Sequence, residues 1–363
     1  MFQVGGHFSD KLTRSGMGDI IKMDVNELLK LYEAGQRDFS GIDLQGANLN
    51  GVTLIEVDFS GANLMGASLS RAFLTKSNFS GAFLNWADLS YTKLSEGNLA
   101  DADLTKANLS GAFLIKSNFS KAKLSGANVS HANLRNSDLH RANLCGANLC
   151  GANLRGVTLQ GANLNWANLK AAKLSGAGLK GAFLHNVNLK GAFLNGVDLQ
   201  GSQLDGVNLS TAKLSGANLE GAHLEAANFS DAVLRGTSLN GAHLNGANLS
   251  GASMAQANLS WANLNQADFS EADLSQAHFL GAKVDGAEFT NVKLSDLTRR
   301  YLCLLASGNS VWTQKATRDT LNCPADNPMP EITTTRSAST RPAAQIAFNL
   351  PIRTVADPIA QLA

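Results

Sequence analysis

Residues 142–169 read ANLCGANLCGANLRGVTLQGANLNWANL, and the pattern repeats every five residues. A leucine stands at 144, 149, 154, 159, 164 and 169, with a small residue two positions before each. Working outward in register, the large apolar position continues unbroken from Phe39 to Leu294, which makes 52 consecutive repeats. Only Val129, Met254 and Val284 replace Leu or Phe at this position. Arg37 and Ile42, at the very start, are the exceptions at the small position. Period five excludes the ordinary elements. On an α-helix it would spiral the leucines round every side, and a continuous strand needs period two. Small–x–Leu–x–x instead fits three extended residues pointing in, out, in, followed by a two-residue corner. Glycine takes the second corner residue in roughly half of the repeats, as a turn needing positive φ would favour.

The number of sides comes from a longer period. Asn108, Asn128, Asn148, Asn168, Asn188, Asn208, Asn228 and Asn248 recur every twenty residues, followed by Asp268. Stacked amides form hydrogen-bonded ladders between successive coils. The column ten residues out of phase (Asn118, Asp138, Thr158, Gly178, Asp198) carries no such run. The phenylalanines obey the same phase. Phe39, Phe59, Phe79, Phe119 and Phe279 share one column, and Phe229, Phe269 and Phe289 the opposite one. A twenty-residue coil has four sides, and 52 repeats make thirteen coils.

These residues strongly resemble the pentapeptide-repeat family, with the pattern Ala-(Asp/Asn)-Leu-x-x seen at Ala47-Asn48-Leu49, Ala102-Asp103-Leu104, Ala147-Asn148-Leu149 and Ala247-Asn248-Leu249. The resemblance implies an all-β, right-handed quadrilateral parallel β-helix of about thirteen coils. The segment from Val25 to Phe39 is similar to the openings of cyanobacterial members, among them one that influences heterocyst formation. Asp24 and Glu27 suggest a capping box, and Gly35 a helix end, so residues 23–36 are expected to form a capping helix over the first coil. Leu28, Leu31 and Tyr32 would cover its open core. Residues 1–22 read as a loose extension or an upstream start, and 37–294 as the solenoid. Residues 295–323 are expected to form a C-terminal helical cap, started by Ser295 or Asp296. Leu297, Tyr301, Leu304 and Leu305 would lie on one face, with the helix ending near Gly308. Residues 324–363 hold all six prolines and read as a disordered tail.

Four cysteines with spacings of five (Cys145, Cys150) and twenty (Cys303, Cys323) match no zinc site, and free thiols in a reducing cytoplasm are expected. Whether Cys303 and Cys323 pair stays open. No apolar run is long enough to span a membrane. Nothing in the sequence supplies a catalytic or metal-binding constellation, so neither an enzyme nor a cofactor is expected. His223 and His243 stack in one column, and no third ligand joins them.

Charge is distributed unevenly. Residues 39–103 carry a net −4, residues 104–197 a net +10, and residues 198–294 a net −6. Within this basic belt Lys121 and Arg141, Arg135 and Arg155, and Lys170 and Lys190 are each twenty apart, and form a candidate surface for an anionic partner. Outward aromatic residues form a second candidate: Phe73, Phe113 and Phe193 on one side, Phe83 and Phe183 on the opposite one, and Trp86 and Trp166 at one corner. The reading is a non-catalytic protein-interaction scaffold with another protein as partner. A nucleic-acid-related role, through the belt or through DNA mimicry as in some members of the family, is the alternative. The mimicry requires a strongly acidic surface, from which this chain departs with a neutral total and a basic middle, and nucleic acid is not the expected partner. A passive spacer and a homodimer through a terminal cap complete the alternatives.

Overall fold

A computed structural model describes residues 22–324. The expected extension and tail fall, apart from residues 22 and 324, outside the described residues. The described array is held by parallel bridges between residues twenty apart, in four columns, which confirms the four-sided coil. We number the sides by their outward residues. Side 1 runs through Asn63, Phe83 and Asp103, side 2 through Asn108, Asn128 and Asn148, side 3 through Phe113, Asn133 and Asn153, and side 4 through Asn78, Asn98 and Asn118. Small and large inward residues fill one continuous core. Ala147, Leu149, Ala152 and Leu154 have no exposed surface, and each buried leucine contributes about 1.5–3 kcal/mol of transfer free energy. Phenylalanine rings stack along the axis at both ends of the array, Phe39 on Phe59 at 5.8 Å and Phe269 on Phe289 at 5.3 Å between centroids.

The accounting of backbone N–H groups explains why Asn or Asp occupies the outward position. In the repeat beginning at Ala147, the Asn148 N–H donates to Ala127 in the preceding coil, and the N–H groups of Leu149 and Gly151 donate to Asn168 and Lys170 in the following coil. Ala152 N–H closes the turn onto the Leu149 carbonyl. Only the first corner residue lacks a backbone acceptor, and Asn148 Oδ1 accepts its N–H at 3.2 Å. The amide nitrogen of Asn148 then donates to Asn128 Oδ1 in the previous coil. One side chain therefore satisfies a local amide and links two coils.

The ladder on side 2 is continuous from Asp88 through Asn108, Asn128, Asn148 and Asn168 to Asn188. A second ladder, which the sequence reading did not find, climbs side 4 from Asp58 through Asn78 and Asn98 to Asn118. Both start on an aspartate, which accepts without needing a donor below it.

Every second corner residue between Gly41 and Asn291 has positive φ, including bulky ones such as Trp86 (φ 62), Trp166 (φ 61) and Tyr91 (φ 56). At Gly111 the neighbouring Tyr91 ring leaves no room for a side chain, since an added Cβ would sit 2.5 Å from it.

The ladder has one interruption. Sides 2 and 3 are bridged without a gap from Asn48 and Thr53 to Glu288 and Lys293. Among the described residues, sides 1 and 4 lack the bridges that would join Phe183 to Gln203 and Gly178 to Asp198. The two coils are thus parted at one corner and joined at the opposite one. The gap coincides with Val187, Val197 and Val207 at the small inward position, where most repeats have alanine, and with Gly178, which has no side chain to join a ladder. Unbonded amides exchange with solvent without any opening step. In hydrogen exchange of the native protein, Leu179 and Leu184 amides should exchange at least tenfold faster than those of Leu189 and Leu194, which are bonded to the next coil. Equal protection would contradict a gap in the array.

Helix α1 (Val25–Glu33) precedes the first coil. Asp24 caps it by accepting the Asn26 N–H at 3.2 Å, and Leu28 is fully buried in the continuous core. Leu31 and Tyr32 are partly buried against that core, and Tyr32 Oη accepts the Ile55 N–H. Helix α2 (Asp296–Leu305) follows the last repeat with Ser295 as its N-cap, and a short helix α3 spans Thr317–Thr320. Of the four residues expected on one face of α2, Tyr301 packs against the core and its Oη accepts the Gly281 N–H. Leu302 and Cys303 face the core, whereas Leu297 and Leu304 are 80% and 84% exposed. The turn between Leu294 and Ser295 sets the helix phase, and an apolar stripe cannot report it. Cys303 and Cys323 are joined by a disulfide, which corrects the expectation of four free thiols; Cys145 and Cys150 are free. Arg299 Nη1 donates to the Leu321 carbonyl and Arg318 Nη1 to the Cys303 carbonyl beside the bond.

Candidate interaction surface

The sequence-predicted residues separate by side. Phe73, Phe113 and Phe193 are outward residues of side 3, in one column with Lys93, Asn133, Asn153, Lys173 and Lys213. Arg135 and Arg155 lie on the corner where side 3 meets side 4, and Lys170 and Lys190 on the corner where it meets side 2. These seven candidates share one surface. The other six do not. Lys121 and Arg141 occupy the corner between sides 4 and 1, Phe83 and Phe183 lie on side 1, opposite side 3, and Trp86 and Trp166 on the corner between sides 1 and 2.

The belt thus resolves into a one-sided feature and a dispersed remainder. Side 3 with its corners carries Lys116, Arg135, Arg155, Lys170, Lys173, Lys190 and Lys213 between Glu96 and Asp231, and no acidic residue in that interval. None of these seven cations has a carboxylate partner among the described residues. Outside that run cations are paired, two of them on side 3 or its corner and one, Lys123, on side 1. Lys76–Glu56, Lys123–Asp103 and Lys293–Asp273 pair across successive coils at 3.4, 3.7 and 3.1 Å. Burial raises the Asp103 pKa, but hydrogen bonds from Thr105 and Asn85 and the charge of Lys123 outweigh it and hold it below its usual value. Hydrogen bonds from Ser275, opposed by burial and aided by Lys293, do the same for Asp273. At the last coil burial raises the Glu288 pKa, and hydrogen bonds from Thr290 and Thr313 reverse the shift.

The outward phenylalanines are 39% (Phe73), 45% (Phe113) and 38% (Phe193) exposed. Each replaces the Asn or Asp that would accept the next corner amide. No side-chain acceptor reaches the N–H of Thr75, Ile115 or Asn195, among the described residues. These positions thus give up a hydrogen bond worth roughly 0.5–1.5 kcal/mol to hold a ring in solvent. Lys93 Nζ lies 4.4 Å from the Phe73 ring centre, and Lys106 Nζ 4.4 Å from that of Trp86.

The sequence reading missed Lys116, Lys173 and Lys213 as part of this surface. The twenty-residue period that aligns Phe113 with Phe193 also aligns Lys173 and Lys213, so the signal was present. It also missed Tyr91, 55% exposed on the corner between sides 2 and 3, and Trp261, 65% exposed on that between sides 4 and 1. His223 and His243 stack with ring centres 4.8 Å apart. Among the described residues no group of three His, Cys, Asp or Glu side chains is placed to hold a metal ion, and no helix is long and apolar enough to cross a membrane.

A family model described as Pentapeptide repeats (8 copies) matches in ten stretches running from 38–71 to 257–296. No curated protein matches the sequence. Among solved structures, a pentapeptide repeat protein of the Arabidopsis thaliana thylakoid lumen is 37% identical, over 36% of this chain and 92% of its own, with a TM-score of 0.28. HetL from the cyanobacterium Nostoc sp., a pentapeptide repeat protein involved in heterocyst differentiation regulation, is 32% identical over 76% of this chain and 98% of its own, with a TM-score of 0.21. With its unbroken period, its four columns of bridges and a family match along the whole array, the chain belongs to the pentapeptide-repeat family of right-handed β-helix proteins.

Proposed function

We propose that this protein is a non-catalytic interaction scaffold that binds its partner along side 3. The observation that carries the reading is the run of seven cations on side 3 with no acid between Glu96 and Asp231, flanked by outward phenylalanines that take the place of Asn or Asp. A filled core supports the non-catalytic part, since catalysis needs convergent groups in a concave, partly dry site. Helices α1 and α2 act as caps that shield the two ends of the core from end-to-end stacking. The Cys303–Cys323 disulfide fits an oxidising compartment better than the cytoplasm.

Reversal of charge by position tests the assignment. One variant carries Arg135→Glu, Arg155→Glu, Lys170→Glu and Lys190→Glu. The control carries Lys106→Glu, Lys121→Glu, Arg141→Glu and Lys180→Glu, with the same change in net charge on other sides of the array. On a carboxymethyl cation exchanger at physiological ionic strength, the side 3 variant should elute clearly ahead of the control, because exposed charges farther apart than about 8–10 Å are then screened from one another and local clusters decide retention. Equal loss in the two variants would mean that net charge alone acts, and would leave a passive spacer as the better reading.

A further inference from the structure

Resting on the assignment of side 3 as the binding surface, we infer that its partner is a short acidic segment of another protein, with an apolar residue near each end. Three observations define that ligand. The first is charge: seven cations lie within the coils from Lys116 to Lys213, on one side, with no carboxylate paired to them among the described residues.

The second is length. Glu96 stands at one end of the run and Asp231 at the other; before Glu96 the same side carries Arg71, Lys93 and the Glu56-paired Lys76, and beyond Asp231 it carries Arg235, Glu271 and the Lys293-paired Asp273. With coils roughly 4.8 Å apart, Lys116 and Lys213 are about 24 Å apart along the axis, which an extended chain spans in about seven residues. A long duplex lying along the axis would pass over Glu96 and Asp231 at the two ends of the run. A peptide of that length would not.

The third is the placement of the rings. Phe113 and Phe193 are in one column four coils apart, about 19 Å at the same spacing, and the central cations lie between them. Polyanions are attracted equally at every cation. Two partly exposed rings at fixed separation instead add an apolar contact at each end, which a peptide with Leu or Phe near its ends can supply. Arg135 and Arg155 offer forked donors for carboxylates on one edge, and Lys170 and Lys190 provide point charges on the other.

The test uses the full chain, a fluorescent peptide of about eight residues with Glu and Asp between two leucines, and a 40-base-pair duplex, with anisotropy read at low and moderate salt. The peptide should bind tighter than the duplex, and its affinity should fall with salt. The four-residue reversal on side 3 should weaken peptide binding at least tenfold, while Phe113→Ser with Phe193→Ser should weaken it by a similar factor and leave the salt dependence unchanged. Both variants alter exposed positions, and an unchanged melting curve shows that the fold survives. Tighter binding of the duplex, lost on reversal, would overturn the peptide assignment and keep side 3 as the binding surface. Peptide binding that ignores both variants would overturn side 3 itself.

Discussion

Leu149→Asp should unfold the middle of the array. Leu149 has no exposed surface, and its N–H is bonded to the Asn168 carbonyl at 2.7 Å, so the side chain is fixed between two neighbouring coils. Removing a buried leucine costs about 2–5 kcal/mol through lost contacts and the cavity left behind. Burying an unpaired carboxylate adds several kcal/mol more, because no cation reaches the axis. The total is comparable with the whole stability of an ordinary domain, about 5–15 kcal/mol. In a stacked array each repeat contacts only its neighbours, so the damage separates the coils before residue 149 from those after it. Thermal unfolding followed by circular dichroism should show a large fall in the midpoint, or two transitions in place of one. Arg155→Asp, an exposed change in the next repeat, should leave the midpoint nearly unmoved. If Leu149→Asp melted with the unaltered protein, the inward assignment of the central position would be wrong.

Reducing the Cys303–Cys323 bond should loosen the C-terminal segment and leave the coils folded. The bond spans twenty residues and joins α2 to the residue after the turn that follows α3. Closing a loop of that size stabilises by about 3 kcal/mol in the chain-entropy account. Weaker contacts remain: Arg299 and Arg318 donate to the Leu321 and Cys303 carbonyls, and Trp312 Nε1 donates to Gln266 in the body of the array at 2.8 Å. Thr313 also donates to Glu288 of the last coil. Trypsin should therefore cut at Lys315 and Arg318 much faster in reductant, or in a Cys303→Ala variant, while the coils keep their resistance. Alkylation of the unfolded, unreduced protein should label two thiols, Cys145 and Cys150. Labelling of four, or cleavage that ignores reductant, would refute the bond as a clamp on the cap.

The sequence by itself determined the architecture because the coil is built from contacts at a fixed offset. A residue whose neighbours always lie twenty positions away writes its environment into the period. Leu149 between Val129 and Leu169, and Asn148 donating to Asn128, are therefore legible from spacing alone. The same regularity made Phe73, Phe113 and Phe193 readable as outward and aligned. The N-caps Asp24 and Ser295 were equally legible, because capping is local.

What only the tertiary structure decided lies where the offset fails or where sides must be compared. The buried face of α2 depends on the turn after Leu294, and Leu302 replaces Leu297 there because one turn sets the phase of the whole helix. The disulfide joins two segments that meet in the C-terminal cap, where Arg299 and Arg318 donate to the Leu321 and Cys303 carbonyls. The gap between the coils of Gly178 and Asp198 arises from the fit of several inward residues at once, which no single repeat records. The belt read as net charge along the chain, whereas binding depends on which cations share a side. Lys121 and Arg141 turn away from Arg135 and Lys170 because a square coil sends neighbouring corners in different directions.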